Sequence, residues 1–432
     1  MFKKYKFIDL FAGIGGFHQA LSKLGHECVY ACEKSPILRE YYKKNFQMEI
    51  DGDIRFANPS KIKNFDILCA GFPCQPFSKA GYQEGFKCST NGNLFLEILR
   101  FIDAKKPKFV FLENVYALYT HNKGKTFANI KSLLEDRGYQ VSYKEYSPTD
   151  FGFPILRRRI FIIATTSKHD ISPLWPTPNC GIKNLDEFLD ESIFHHADRS
   201  IKKQIKRSIF IWEKLLKKLP KDTYIPTPLW ATEFKANYPY EDKAPVNYKK
   251  NLKKYRTKFG KKIDTDIDDF ILTLPHYSQL NVKKFPSWKI RFIKQSREFY
   301  KNNKSIIDEW IHNLYELPES HQKLEWNCRG EVLSFKNKLI SFRGSGIRIK
   351  KKEILPTLIA TSPSQLPIIY DQLRYISATE CLKIHDIRVK HVPSIRDGFY
   401  RMIGNSVHPK IVYEIGKSFF GNKNNNVKLK SA

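Results

Sequence analysis

The sequence predicts an α/β protein, a doubly wound and mostly parallel sheet accompanied by a second, smaller domain. Two observations carry that prediction. The first ~165 residues alternate short apolar runs with amphipathic stretches, the rhythm of strands that pair in parallel through helical crossovers. Near residues 173–178 the texture changes, and up to about residue 370 the chain is richer in Lys, Tyr, Trp and Pro. A region that loses the βα rhythm belongs to a different architecture.

In order, strands are expected at residues 7–10, 28–32, 66–70, 109–113, 141–146 and 160–165. The runs Phe109-Val110-Phe111-Leu112 and Ile160-Phe161-Ile162-Ile163-Ala164 are apolar throughout, as strands buried on both faces are. Helical spacing lies between them at 17–24, 37–46, 94–103 and 127–137. Ser35 before Pro36 is a helix start, an N-cap followed by proline in the first turn. In the middle region only 201–219 and 306–317 read as helices, and its fold is not derivable from pattern. Residues 409–420 form an amphipathic helix opened by Pro409, and a Lys/Asn-rich tail follows.

Hydrophobic residues make up 41% of the 432 positions and aromatics 14%, enough to bury two cores. No apolar run approaches a membrane span, and the chain enters its first strand without a signal-peptide core, so a cytoplasmic protein is expected. Lys and Arg number 74 against 44 acidic residues, a net charge of +30 that favours a polyanionic partner. A solvated lysine-rich surface accounts for the charge equally well when it is taken alone. The eight cysteines contain no Cys-x-x-Cys pair, so reduced thiols are expected, with neither disulfides nor a metal site.

Four segments carry chemistry. Asp9-Leu10-Phe11-Ala12-Gly13-Ile14-Gly15-Gly16 is a strand running into a glycine turn and a helix, a shape that lets backbone approach a ligand. Such a turn alone is weak evidence for a ligand. It is strengthened by Glu33, which ends the second strand where an acid can accept from a ribose, and by Asp53 in Gly52-Asp53-Ile54. Asp53 is expected at the end of a strand, positioned for an adenine amino group.

The second segment, Gly71-Phe72-Pro73-Cys74-Gln75-Pro76-Phe77-Ser78, leaves the third strand and presents a cysteine between prolines. A lone Cys74 would more often be a small buried thiol. It is joined by the third segment, Glu113-Asn114-Val115, closing the next strand; burial there should raise the pKa of Glu113. A thiolate paired with a proton-holding carboxyl suits nucleophilic addition to an electron-poor ring. The fourth, Arg157-Arg158-Arg159, precedes an apolar strand, so at least one arginine should turn back towards the site.

Taken in order, these segments resemble the cytosine-5 DNA methyltransferase family of bacterial restriction-modification type. Asp-Leu-Phe-Ala-Gly-Ile-Gly-Gly-Phe, Gly-Phe-Pro-Cys-Gln-Pro-Phe-Ser and Glu-Asn-Val are similar to its cofactor, nucleophile and acid motifs. Arg157 and Arg159 fall on the arginines of its Gln-x-Arg-x-Arg motif, with Ile155 in place of the glutamine. Residues 374–380 resemble its Arg-x-x-Thr-x-x-Glu segment, and Gly404-Asn405-Ser406-Val407 matches the motif whose helix returns to the cofactor domain. Before Leu94-Phe95 the chain departs from the family, with Asn91-Gly92-Asn93 where a charged-glycine sequence is usual.

The resemblance implies an S-adenosylmethionine-dependent methyltransferase fold, with a catalytic domain over 1–175, a target-recognition domain over 176–390 and a returning segment over 391–432. It implies Cys74, Glu113, Arg157 and Arg159 as catalytic residues. The S-adenosylmethionine pocket would comprise Asp9, Phe11, Ala12, Gly13, Gly15, Gly16, Glu33, Asp53, Ile54, Phe72, Pro73, Asn405, Ser406 and Val407. Double-stranded DNA would be the partner, touched by Gln75, Ser78, Arg343 and Arg348. The target cytosine would leave the helix stack, since its ring needs reagents on opposite faces. A monomer, a separately acting restriction endonuclease and no metal complete the expectation. Two alternatives stay open: an RNA cytosine methyltransferase, and a DNA-binding regulator that has lost turnover. A nicotinamide-dependent dehydrogenase is set aside because it gives Cys74 and Glu113 no role.

Overall fold

A computed structural model describes residues 3–73, 94–166, 174–178, 180–190, 200–263, 267–358, 365–391 and 398–420. The chain divides into two compact units. The first comprises Met1–Asp190, Glu353–Ala360 and Ser377–Ala432; the second comprises Glu191–Lys352 and Thr361–Ile376.

The first unit opens with β1 (Lys6–Leu10), α1 (Gly16–Lys23), β2 (Glu27–Cys32) and α2 (Pro36–Phe46). Ser35 Oγ caps α2 by accepting from the Leu38 amide at 3.4 Å, as its position before Pro36 predicts. Next come β3 (Ile67–Gly71), α3 (Leu94–Lys105), β4 (Phe109–Val115), α4 (Ala117–Thr120), α5 (Lys125–Glu135) and β5 (Gln140–Tyr146). The short β6 (Ile155–Leu156) and long β7 (Arg159–Thr165) complete this half. The sheet runs β2-β1-β3-β4-β7-β5. Strands β1 to β4 are parallel, while β7 enters antiparallel to both β4 and β5.

Alternation along each strand sends side chains to two cores. Ile8, Leu68, Val110, Leu112 and Ile162 pack with α3 and α5 on one face. Phe7, Ile67, Cys69, Phe111 and Phe161 pack on the other with Phe17 and Leu21 of α1.

The second unit contributes α6 (Lys203–Lys218), β8 (Leu229–Trp230), α7 (Ile267–Thr273), α8 (Ser287–Asn302), α9 (Lys304–Trp310) and β9 (Lys323–Asn327). The hairpin β10 (Lys338–Arg343) and β11 (Gly346–Lys351) lies at the middle of its sheet. That sheet has six strands, with Ile368–Ile369 and Arg374–Tyr375 at one end and β8 at the other. Leu324, Trp326, Ile340, Phe342, Ile347 and Ile349 face a core shared with Ile209, Trp212 and Trp310.

The chain returns to the first unit through α10 (Ala378–Ile384), α11 (Phe399–Asn405) and α12 (Pro409–Phe420). Ile411, Val412 and Ile415 of α12 close the core that α1 begins. The unit boundaries differ from divisions at 175 and 390. Residues up to Asp190 stay with the first unit: Trp175 donates to Ser142 Oγ at 2.7 Å, and the Asp190 amide donates to Glu380 Oε1 at 2.9 Å. Among the described residues no helix is long and apolar enough to cross a membrane.

Candidate active site

Every expected site residue that the structure describes in the first unit lies at or near the carboxyl ends of β1 to β4, or on the segments that return to them. Cys74, Gln75 and Ser78 fall outside the described residues. Open parallel sheets place ligand crevices beyond those strand ends, because loops diverge there and leave backbone amides exposed.

After β1, Phe11 adopts φ 57° and Gly13 φ 56°, so the chain turns sharply before α1. Phe11 is strained in that region, whereas Gly13 is not. A Cβ on Gly13 would meet only Phe11 O, at 3.9 Å, so the turn is open above it. The Gly13 amide donates to Glu33 Oε2 at 3.1 Å, and the Ser35 amide donates to Oε1 at 2.8 Å. Two backbone donors therefore aim the Glu33 carboxylate at the end of β2 while leaving lone pairs available.

Asp53 is placed differently from expectation. It does not end a strand. Asp51 makes an isolated parallel bridge with Cys32, and Asp53 then caps the single turn Ile54–Phe56 by accepting from the Arg55 amide at 3.1 Å. Arg55 also grips its carboxylate, with Nε 3.0 Å from Oδ1, and that hydrogen bond holds Asp53 below the usual carboxylate range. Asp9, beneath the glycine turn, is 1% exposed. Burial pushes its carboxyl well up, the His18 amide opposes this, and Glu33 adds to it. Beside it, His18 Nδ1 and Tyr42 Oη share a hydrogen bond of 2.6 Å, and burial lowers His18 to about 4.

Glu113 and Gly71 are partners across β3 and β4, so the acid stands beside the root of the segment that carries Cys74. Asn114 strengthens that root: its side-chain amide donates to Phe72 O at 3.2 Å. Residue pattern alone did not single out Asn114, although it sits inside the Glu-Asn-Val motif. Glu113 is buried, and burial raises its pKa against the opposing charges of Arg159 and Arg157. Arg159 Nε lies 3.0 Å from Glu113 Oε1. The charge of Arg159 opposes the upward push of burial on the carboxyl.

The three arginines separate cleanly. Arg159 faces Glu113. Arg158 turns outward, pairing with Glu145 and stacking 4.4 Å over the Tyr116 ring. Arg157 is 2% exposed and donates to Gly404 O and, at 2.8 Å, to Ser406 O. Its guanidinium thus ties the returning motif to the sheet. That motif closes on the strand ends: a Cβ on Gly16 would lie 2.4 Å from Val407 O, and one on Gly71 would lie 2.9 Å from Val407 Cγ2. Asn405 is exposed, Ser406 Oγ donates to Ile403 O at 2.8 Å, and Val407 is buried.

In the second unit, the sheet face opposite the core carries Glu325, Asn327, Ser341, Arg343, Arg348 and Lys350, aligned by the pairings of β9, β10 and β11. Glu325 accepts from Arg348 Nε at 2.5 Å and from Ser345 Oγ at 2.8 Å. Arg343 Nε has no hydrogen-bond partner among the described residues. Burial and Arg348 push Arg343 down; burial, Arg348 and Arg343 push Lys350 down. Three cations that push against one another on one sheet face are an arrangement that an anion would relieve.

The model of the C-5 cytosine-specific DNA methylase family matches residues 5–421. The chain belongs to that family. Among family relatives, the type II methyltransferase M.BanI of Aneurinibacillus aneurinilyticus is 30% identical over 442 aligned residues, spanning 98% of this chain and 97% of that one. M.HhaI of Haemophilus parahaemolyticus is 45% identical over 42% of this chain and 56% of its own length. M.MspI of Moraxella sp is 40% identical over 45% of this chain and 48% of its own. The chain therefore spans about half the length of the last two relatives and nearly all of the first.

Proposed function

We propose that the chain is a DNA (cytosine-5)-methyltransferase that uses S-adenosylmethionine and attacks ring carbon 6 of a flipped-out cytosine with Cys74. The observation that carries the reading is the pairing of Gly71 with Glu113. It sets a buried acid, its pKa raised by burial, beside the root of the segment that carries Cys74.

The pocket residues fit the cofactor. The open backbone at Gly13, the aimed carboxylate of Glu33 and the acid at Asp53 offer acceptors for ribose hydroxyls and an adenine amino group. Ala12, Ile54, Phe72 and Pro73 would line it, as would the Asn405-Ser406-Val407 return. When bound, the cofactor supplies an electrophilic methyl group.

The remaining steps belong to the protein. The Cys74 thiolate adds to carbon 6, and Glu113 donates or shares a proton at ring nitrogen 3, so electron density moves to carbon 5. Arg159 pairs with Glu113 and would hold the base carbonyl; Arg157 would act as a positioning residue through Gly404 and Ser406. After transfer, solvent water takes the proton from carbon 5, the carbon 6–sulfur bond breaks to release the Cys74 thiolate, and ring nitrogen 3 returns its proton to Glu113, restoring the ring. Gln75, Ser78, Arg343 and Arg348 are assigned to DNA. The second unit would be the target-recognition domain, and the enzyme would act as a monomer, without metal, beside a separate restriction endonuclease.

Transfer of labelled methyl to unmethylated duplex DNA tests the reading. Wild type labels cytosine, Cys74→Ser does not, and Glu113→Gln is slower by about 10²- to 10⁴-fold. A wild type that binds duplex DNA but labels neither DNA nor RNA would leave a reader without turnover.

A further inference from the structure

We propose that Arg100 is the positioning residue that sets the adenine side of the cofactor pocket, an inference that rests on the S-adenosylmethionine reading above. The segment bearing Asp53 is held at two places. Upstream, the Asp51 amide donates to Ala31 O and the Glu33 amide donates to Asp51 O, both at 3.0 Å, tying the chain to the end of β2. Downstream, after a single turn at Ile54–Phe56, the anchor is a side chain.

Arg100 Nη2 donates to Ile54 O at 2.7 Å and Nη1 to Ala57 O at 2.6 Å. Its Nε donates to Glu97 Oε2 at 2.9 Å, one helical turn earlier. Phe95, Ile98, Leu99 and Ile102 bury the other face of α3 in the sheet core, so the guanidinium is delivered from a rigid element. Its planar fork spans both carbonyl oxygens at once, which the point charge of a lysine cannot do. Asp53 and Ile54 lie between the two anchors. Arg55 and Lys34, which pair with Asp53, are themselves exposed and do not fix the segment against the sheet.

Titration calorimetry with S-adenosylmethionine and S-adenosylhomocysteine tests this on the full chain, alongside duplex-DNA affinity and turnover. Arg100→Gln is expected to weaken both cofactor forms about tenfold or more, through two lost charged hydrogen bonds. DNA affinity and kcat at saturating cofactor should stay within about threefold. Arg100→Lys should fall between, and Glu97→Gln, which only loosens the fork, should weaken binding by about two- to fivefold. Cofactor affinity within about twofold of wild type in Arg100→Gln overturns the proposal, as does a parallel fall in DNA affinity and kcat. If Arg100→Gln does not fold, unchanged affinity in both Arg100→Lys and Glu97→Gln overturns it. A wild type that binds neither cofactor form sinks the cofactor reading itself, a different result from variants that bind as wild type does.

Discussion

Burial raises the carboxyl of Asp9 well above its unfolded value, so the folded protein keeps that proton to higher pH than the unfolded chain, which releases it from about pH 4 upward. The stability this proton contributes is complete below the unfolded pKa and is lost as pH rises through the raised folded value. Asp9→Asn keeps an acceptor for the His18 amide and has no charge to bury. Its urea midpoint should therefore gain on wild type as pH rises from the unfolded value, about 4, towards the raised folded value. A constant difference across that range would mean that Asp9 is not protonated in the fold. At this scale the sequence was a partial guide. Glu113 was legible because a glutamate ending an apolar strand must be desolvated. Arg157 was not, because its partners are backbone carbonyls at residues 404 and 406, nearly 250 positions away. The same holds for Arg100, whose work is done on the carbonyls of Ile54 and Ala57.

Among the elements, the strand ends and the returning segment fit closely at two glycines. The Gly71 and Gly16 sites differ in what a new methyl would strike: the Val407 side chain at Gly71, and the Val407 backbone oxygen at Gly16. Gly71→Ala should cost about 1–3 kcal/mol through overpacking. Val407→Ala removes the struck methyl, so the double variant should recover part of that loss, a coupling of about 0.5–3 kcal/mol. Gly16→Ala should gain nothing from Val407→Ala. Denaturant midpoints of the five variants decide it, and equal rescue at both glycines would contradict this packing. The elements of the first unit were readable from alternation and glycine turns, within a residue or two at most ends. The second unit resisted because its strands β9, β10 and β11 come late and unevenly, joined by loops and short turns that leave no period to count.

For the whole molecule, the excess of 74 cations over 44 acids sets how binding responds to salt. Affinity for duplex DNA should fall linearly in log–log terms, by about 0.9 per phosphate neutralised. Lys350→Gln should reduce that slope by about one and weaken all sequences alike. An unchanged slope would remove Lys350 from the DNA-facing surface. The net charge alone did not distinguish a binding face from a solvated one. Arg343, Arg348 and Lys350 share one sheet face with Glu325, which makes that face the one to test.

Discontinuity of the first unit has a consequence for biosynthesis. The six strands of its main sheet are complete by Thr165, yet α12, which closes the core over β1 and β3, is not made until Pro409–Phe420. At roughly 5–20 residues per second the ribosome needs some tens of seconds to cover that interval. Throughout it, Phe7, Ile67 and Phe111 have no α12 to cover them, and the nascent chain is exposed to chaperones and proteases. A half-made chain lacks the segment that seats Val407 against Gly16 and Gly71, so the strand ends of an unfinished polypeptide stay uncovered.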